Sequence, residues 1–366
     1  MIATKKNVAI VGTRGIPAKY GGFETFAQEL APLLVHKGVE CFVFCDQNSH
    51  NEPMFNGVSL VFLNTTKSKN PLKYYFQSLK GASKKCEIIY VTGSGGAIFY
   101  PLFKRKGRII ITNTDGIEHK REKWSIAKKI FLKISEYLAA NFSNYIVADS
   151  SGIKKHLIET YNIDSEKIWQ LEYGADLNNY KNTDVLNEFQ IEDNNYYLIV
   201  SRLEPENNVH LMIEGYLSAF RNKPLVIVGN LENNQYVADL LSKQTENIRF
   251  LGGIYDSKKL KALRTSCFTH LHGHSVGGTN PSLLEALGSG NIIIAHDNIF
   301  NKEVAGENMF YFKNPAELNS ALEKIEALTL SERIQLSQKA QKRITEYYNW
   351  DSIADRYYNY LQSIQL

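Results

Sequence analysis

The chemistry in this chain gathers in one stretch, HGHSVGGTNPSLLEALGSG, running from His272 to Gly290. Gly277 and Gly278 strip a turn of side chains, so a ligand can approach the backbone there. Thr279 and Asn280 are both good helix N-caps and Pro281 suits the first helical position, so a helix is expected to start just after the glycines. Bare N–H groups at a helix start attract anions, phosphate above all. Glu285 falls just over one turn into that helix. A carboxylate is a poor phosphate ligand but accepts hydrogen bonds from sugar hydroxyls. The stretch therefore predicts a sugar-nucleotide site, with N–H groups for the diphosphate and Glu285 for the ribose. The plain alternative is a Gly-rich loop before an ordinary capped helix, and a motif this short does not choose between them. His272 and His274 flank the loop and are candidates for donor contact.

The elements around this stretch are those of an α/β chain. At 366 residues there is room for two domains of ordinary size. Hydrophobic content of 43% and charged content of 22% are those of a globular protein. No apolar run approaches the ~20 residues that span a bilayer, and MIATKKNVAIVG does not read as a signal peptide. Cys41, Cys45, Cys86 and Cys267 have neither metal spacing nor a paired framework, so buried free thiols in a reducing cytoplasm are expected. The net charge of +4 is uneven: residues 1–180 carry +8 and the remainder −4. A basic first half points to an anionic partner.

Apolar β-runs at Asn7–Val11, Val39–Cys45, Val58–Leu63, Glu87–Thr92, Arg108–Thr112 and Tyr145–Ala148 alternate with helical patterns. The series restarts with Tyr197–Val200, Leu225–Val228, Ile248–Leu251, Phe268–Leu271 and Ile292–Ala295, the last clear strand. Phe23, Phe26, Ala27, Leu30 and Leu34 predict an early helix, with a kink at Pro32. A final aromatic-rich helix is expected from Asp351 to Leu361. The turn at Glu172–Asp176 marks the boundary. Two strand–helix series imply two doubly wound domains that face each other: residues 1–173 with 350–366, and residues 174–349.

Open α/β sheets bind ligands at the carboxyl ends of their strands. That rule singles out the loop GTRGIPAKYGGFET, with Arg14, Lys19, Gly21 and Gly22, which is too long for a dinucleotide turn. It also places Asp115 and His119 well for chemistry, although Asp115–Gly116 is equally a common turn pair. Residues 120–140 combine Lys128, Lys129 and Lys133 with Ile126, Ile130, Phe131, Ile134, Tyr137 and Leu138. The apolar stripe is expected to face the core. The basic face is the better sign of an anionic membrane surface.

Five motifs in order, GTRGIPAKYGGFET, NTDGIEHKREKW, SRLEPENNVH, HGHSVGGTNPSLLEALGSG and AHDNIFNKEV, carry a resemblance that spans nearly the whole chain. The chain resembles a GT-B glycosyltransferase of retaining family 4, and more narrowly the bacterial rhamnosyltransferase-like branch that builds capsule and O-antigen. The resemblance implies an acceptor-binding first domain, a nucleotide-sugar-binding second domain, and a last helix that crosses back onto the first. It implies no metal: a basic side chain and helix N-termini neutralise the diphosphate. Arg202 matches the family's phosphate-binding arginine, Glu285 its ribose-binding glutamate, and Thr279 and Asn280 its backbone cradle. Gly21 and Gly22 match the loop that closes over the sugar diphosphate.

Two departures bear on the donor. Asn207 and Asn208 stand where the family has a lysine, and Gly277 stands where it has a second glutamate. That missing carboxylate suits a deoxygenated sugar. Arg14, Lys19 or Lys302 are candidates to replace the lysine. The implied reaction moves L-rhamnose from dTDP-L-rhamnose to a saccharide or polyprenyl-diphosphate-linked acceptor, at the inner face of the cell membrane. Arg202 and the 277–280 loop stabilise the leaving diphosphate, while Asp115 positions the acceptor or acts as base. A UDP-hexose donor, a GT-B sugar-nucleotide epimerase and a non-catalytic binding protein are the alternatives. No nucleic-acid-binding motif is present, and the second half is acidic.

Overall fold

The computed structural model describes residues 6–19, 21–47, 52–114, 116–120, 124–307 and 309–365. The chain forms two compact units. One contains Met1–Lys120, Trp124–Tyr173 and Trp350–Leu366, the other Gly174–Asn349.

In the first unit the described strands are β1 (Asn7–Val11), β2 (Glu40–Cys45), β3 (Met54–Phe55), β4 (Val58–Phe62), β5 (Ile88–Thr92), β6 (Ile109–Thr114), β7 (Tyr145–Ala148) and β8 (Ile168–Gln170). They lie in the order β3-β4-β2-β1-β5-β6-β7-β8, parallel except for the β3–β4 pair. The central strands are near-continuous Val/Ile runs because helices cover both faces. The order reverses between β1 and β5, so the loops after them flank a switch point. The helix Gly22–His36 runs through Pro32 without interruption.

The second unit repeats the plan with β9 (Tyr197–Val200), β10 (Leu225–Val228), β11 (Ile248–Gly252), β12 (Thr269–His272), β13 (Ile293–His296) and β14 (Phe310–Phe312). All pair in parallel, in the order β11-β10-β9-β12-β13-β14. Its core packs Ile199, Ile227, Leu271 and Ile294 under Met212, Ile213, Leu318 and Leu322. Two doubly wound α/β units are the expected architecture. The sequence reading ended the strands at Ala295, whereas β14 follows. Like β3 and β8, it is a sheet-edge segment of two or three residues, too short for a periodicity signal.

The last helix, Trp350–Ser363, belongs to the first unit. Phe26 packs against Tyr90, Tyr173 and Tyr357 with ring centroids 5.8, 5.2 and 5.5 Å away. Tyr357 shares a hydrogen bond with the Tyr90 hydroxyl at 3.2 Å, and Tyr90 accepts one from Asn113 Nδ2 at 2.9 Å. Arg356 donates to Glu172 Oε2 at 2.6 Å and to the Gln170 carbonyl at 2.7 Å. Aromatic area buried in pairs is the main stabiliser here.

One expectation fails. In the helix Ile126–Phe142 the buried residues are Leu132, Ser135, Glu136, Ala139 and Ala140. Ile126, Ile130, Ile134 and Tyr137 instead form one exposed stripe, Ile126 at 78% exposure and the others above half. Of the expected stripe, Leu138 packs against the core and Phe131 is half-buried, while the isoleucines and Tyr137 face outward; the inward face carries Leu132, Glu136 and Ala139, with Glu136 held by His119 and His156.

Truncating Tyr357 removes the centre of the aromatic cluster. Tyr357→Ala is expected to cost about 3–5 kcal/mol and Tyr357→Phe about 1 kcal/mol. Urea denaturation followed by near-UV circular dichroism checks both. Equal midpoints for wild type and Tyr357→Ala would rule out the helix as a structural part of the first unit.

Candidate functional site

In the second unit the order reverses between β9 and β12. The loops leaving their carboxyl ends therefore start side by side, the place where open α/β sheets hold ligands. Side-chain amides stitch the two loops together. Asn207 Nδ2 donates to the Arg202 carbonyl at 2.7 Å and closes the first loop. Asn208, in the left-handed region at φ +51°, donates from Nδ2 to the Gly273 carbonyl at 2.8 Å. The Glu206 carbonyl accepts from Ser275 N at 3.0 Å and Ser275 Oγ at 2.8 Å. Gly273 is obligatory, since a Cβ there would lie 2.1 Å from the Asn207 carbonyl oxygen.

The second loop continues through Gly277 at φ +136°, where a side chain would be strained; Gly277, Gly278 and Thr279 are all buried. Asn280 caps the helix Pro281–Gly288, its side chain accepting from Ser282 N at 2.9 Å. Ser282 Oγ donates to the Val200 carbonyl at 2.9 Å and ties the helix start to the end of β9. Arg202 follows two residues later, its side chain about half exposed and 3.5 Å from Glu204 Oε1. Glu285 is also accessible; its Oε2 is held at 2.6 Å by the buried Arg264.

The loop after β13 is fastened to the same place. Asn298 Nδ2 and Asn301 Nδ2 each donate to the His274 carbonyl at 2.9 Å. Lys302 sits 2.5 Å from Asp297, whose carboxyl is held below the usual range by the hydrogen bond from Lys302.

His270, His272 and His296 do not supply charge. His272 is buried, and burial first and His296 second push its imidazole down to about 3. His270 is driven down by burial first and then by His272 and Arg264, and burial lowers His296. His270, His272 and His274 run in a row at ring spacings of 6.3 and 6.0 Å. Among the described residues no group of three or more His, Cys, Asp or Glu is placed to hold a metal ion.

In the first unit the loop after β1 folds back on its own helix. Arg14 N donates to Glu24 Oε1 at 2.7 Å and Ala18 N to Gln28 Oε1 at 2.8 Å. Lys67 Nζ and the Tyr74 hydroxyl donate to the carbonyls of Gly12 and Thr13. Lys19 and Gly22 are exposed, and Gly21 occupies the N-cap position. His119 lies on the loop after β6, with Nδ1 2.8 Å from Glu136 Oε2. Asp115 lies outside the described residues.

The structure thus brings Arg202, Asn208, His272, His274, Gly277, Gly278, Thr279, Asn280 and Glu285 to one edge of the second unit's sheet. Arg14, Lys19, Gly21, Gly22 and His119 belong to the first unit. Sequence reasoning missed Arg264, Asn298, Asn301 and Glu136. The N-x-x-N spacing of 298 and 301 carried a capping signal, but Arg264 and Glu136 carried none.

Residues 182–346 match the model of glycosyl transferases group 1. Residues 5–176 match a domain of unknown function, DUF1972. No curated protein matches the sequence. Among solved structures, sucrose-phosphate synthase from Thermosynechococcus elongatus superposes with a TM-score of 0.80 at 13% identity, covering 97% of this chain and 98% of that one. Anabaena HepE in complex with UDP gives 0.78 at 16%, covering 98% and 100%. The catalytic domain of starch synthase IV from Arabidopsis thaliana, bound to ADP and acarbose, gives 0.75 at 14%, covering 98% and 100%.

The chain has the GT-B fold over its whole length, and its second unit is similar to the glycosyl transferases group 1 domain. Its first unit carries DUF1972 ahead of that group 1 domain.

Because His272 stays neutral when folded, acid favours the unfolded chain. Unfolded histidine takes a proton near 6.5 and the native one only near 3, so stability is full above about 6.5 and falls as pH drops towards 3. The slope is at most about 1.4 kcal/mol per pH unit for each such group. Urea denaturation at pH 7.5 and 5.5 is expected to show a shallower loss for His272→Gln than for wild type. Identical slopes would remove His272 as a buried neutral group.

Proposed function

We propose that the chain transfers a sugar from a nucleotide-diphosphate sugar, with retention of configuration, onto a saccharide or polyprenyl-diphosphate-linked acceptor in cell-surface polysaccharide synthesis. The observation that carries this reading is the edge of the second sheet, where Arg202, the Gly277–Asn280 turn and Glu285 share one set of stitched loops. In the reaction the bond between the anomeric carbon and the phosphate oxygen breaks, and a bond from that carbon to the acceptor oxygen forms. The hydroxyl proton passes to the leaving phosphate oxygen on the same face. Negative charge grows on the diphosphate, and fixed donors aimed at it lower the barrier. Arg202 and the turn's N–H groups take that role, and Glu285 takes the ribose hydroxyls. No metal is assigned. Asp115 and His119 are assigned to the acceptor.

For the donor we favour dTDP-L-rhamnose. Gly277 has no carboxylate to offer a sugar hydroxyl, and its conformation disfavours any other residue. A UDP-hexose is the second reading, favoured by the complexes of two proteins of the same fold, Anabaena HepE with UDP-glucose and an E. coli protein with UDP-2-fluoro glucose.

The lipid-linked acceptor draws support from the helix Ile126–Phe142. Ile126, Ile130, Ile134 and Tyr137 are exposed at helical spacing, beside Lys129 and the exposed Lys133. An apolar stripe edged with lysines suits the headgroup boundary of an anionic bilayer. No helix among the described residues is long and apolar enough to cross a membrane.

Arg202→Ala is expected to lower transfer by about 10²–10³-fold in a folded protein. Glu285→Gln, which leaves Arg264 a partner, is expected to weaken nucleotide-sugar binding. Full activity in both would exclude this site. A thermal-shift panel of nucleotide sugars decides the donor: stabilisation by UDP-glucose and not by dTDP-rhamnose overturns the rhamnose reading. Co-sedimentation with phosphatidylglycerol vesicles is expected to be lost at high salt and in Ile130→Asp/Ile134→Asp. Retention in both conditions would rule out the helix as the membrane contact.

A further inference from the structure

The helix with the exposed isoleucines turns a carboxylate inward, and the partners of that carboxylate are unequal. Glu136 is buried between two imidazoles: its Oε2 lies 2.8 Å from His119 Nδ1 and its Oε1 2.7 Å from His156 Nε2. His156 uses its other nitrogen as well, 3.1 Å from Thr160 Oγ1. Tyr161 packs edge-on against the His156 ring at 5.8 Å, and burial followed by the Glu136 charge pushes its phenol up. His156 is thus satisfied on both sides and serves to hold Glu136. His119 is held on one side only. Its Nε2 has no partner among the described residues, and its side chain keeps 15% exposure.

A carboxylate on Nδ1 fixes the tautomer of a neutral imidazole. The Nδ1–H donates to Glu136, and the lone pair is left on Nε2. The same device orients metal-bound and catalytic histidines, and its loss costs activity without removing the histidine. His119 follows the carboxyl end of β6, the strand next to β5, which flanks the switch point of the first sheet. That is a place for substrate and an unusual one for a half-satisfied histidine in a merely structural cluster.

We propose that Glu136, braced by His156, is a positioning residue that presents His119 Nε2 as the hydrogen-bond acceptor for a hydroxyl of the saccharide acceptor next to the attacking one. This rests on the transferase reading above, with the first unit taking the acceptor. The His119–Glu136 contact carries the orientation. His119 then orients the acceptor through that neighbouring hydroxyl, and the attacking hydroxyl keeps its own proton free to pass to the leaving phosphate oxygen.

The test compares His119→Ala, Glu136→Gln and the double variant in full-length protein, with acceptor and donor varied separately. The acceptor kcat/KM is expected to fall at least tenfold in each single variant, with the donor KM within twofold of wild type. If Glu136 acts through His119, the double variant is no worse than His119→Ala; a purely structural Glu136 gives losses that multiply. A second readout needs no turnover. Nitrogen-15 NMR of labelled histidine is expected to show wild-type His119 as the Nδ1–H tautomer and Glu136→Gln losing that preference. An Nε2–H tautomer in wild type, or an unchanged acceptor kcat/KM in His119→Ala, overturns the proposal even if Glu136→Gln does not fold. A wild type that binds no nucleotide sugar fails the transferase reading itself and takes this proposal with it; a wild type that transfers while His119→Ala matches it fails this proposal alone.

Discussion

The second unit depends on hydrogen bonds from two side-chain amides to the backbone. Asn207 closes the loop after β9 on the Arg202 carbonyl, and Asn208 ties that loop to the one after β12 through the Gly273 carbonyl. A loop of about eight residues otherwise has many conformations, and a ligand site built on it, as under the proposed function, would order only on binding, at an entropic cost. Here that ordering is done in folding. The contact is so close that Gly273 has no room for a Cβ, and Ser282 adds a third tie from the following helix to the end of β9. Asn298 and Asn301 extend the stitching to the loop after β13 through the His274 carbonyl.

The first unit solves a different problem. A carboxylate out of water is costly unless it is paired and hydrogen-bonded. Glu136 meets that condition by binding two imidazoles, and in doing so it fixes the rotation of the helix that carries it. The isoleucines at 126, 130 and 134 then point outward. One buried pairing therefore sets both what the helix shows to its surroundings and how the loop after β6 is held. Under the proposed function these are the lipid side and the acceptor side of one element.

This helix also shows where the sequence was legible and where it was not. Short continuous apolar runs and period-3.6 patterns identified the long strands and the doubly wound class, because Val/Ile runs such as NVAIV, YLIV and LVIV sit between capped helices. The glycine turn and Asn280 cap were equally readable, since Gly-Gly and Asn-Pro act locally. The edge strands β3, β8 and β14 were not, being too short to carry a period. The orientation of Ile126–Phe142 was misread because hydrophobicity ranks isoleucine above glutamate for burial. That ranking fails when the partners of the glutamate come from positions 119 and 156, 17 and 20 residues away. Arg264 was invisible for the same reason: its pairing with Glu285 spans two helices. Long-range polar pairs leave no periodic trace.

The distribution of charge at the second unit's sheet edge bears on how a diphosphate would be stabilised there. Asn207 and Asn208 take the places where the resemblance anticipates a lysine, and both amides are spent on backbone. Lys302 and Lys313 face Asp297, and Arg264 is committed to Glu285. His272 is neutral at any physiological pH. Arg202 differs: its contact with Glu204 is long at 3.5 Å and half in solvent, where such a pair holds a side chain only weakly. It is therefore the cation most easily re-aimed at an incoming anion. Under the proposed function the other contribution comes from the peptide dipoles of the turn and the helix start, which are fixed in place before the ligand arrives. Dipoles held rigidly need no reorganisation as charge develops, whereas a long lysine side chain must be ordered first. Exchanging a lysine for two amides that lock the loops thus gives up a mobile charge and gains rigidity in the N–H groups that remain.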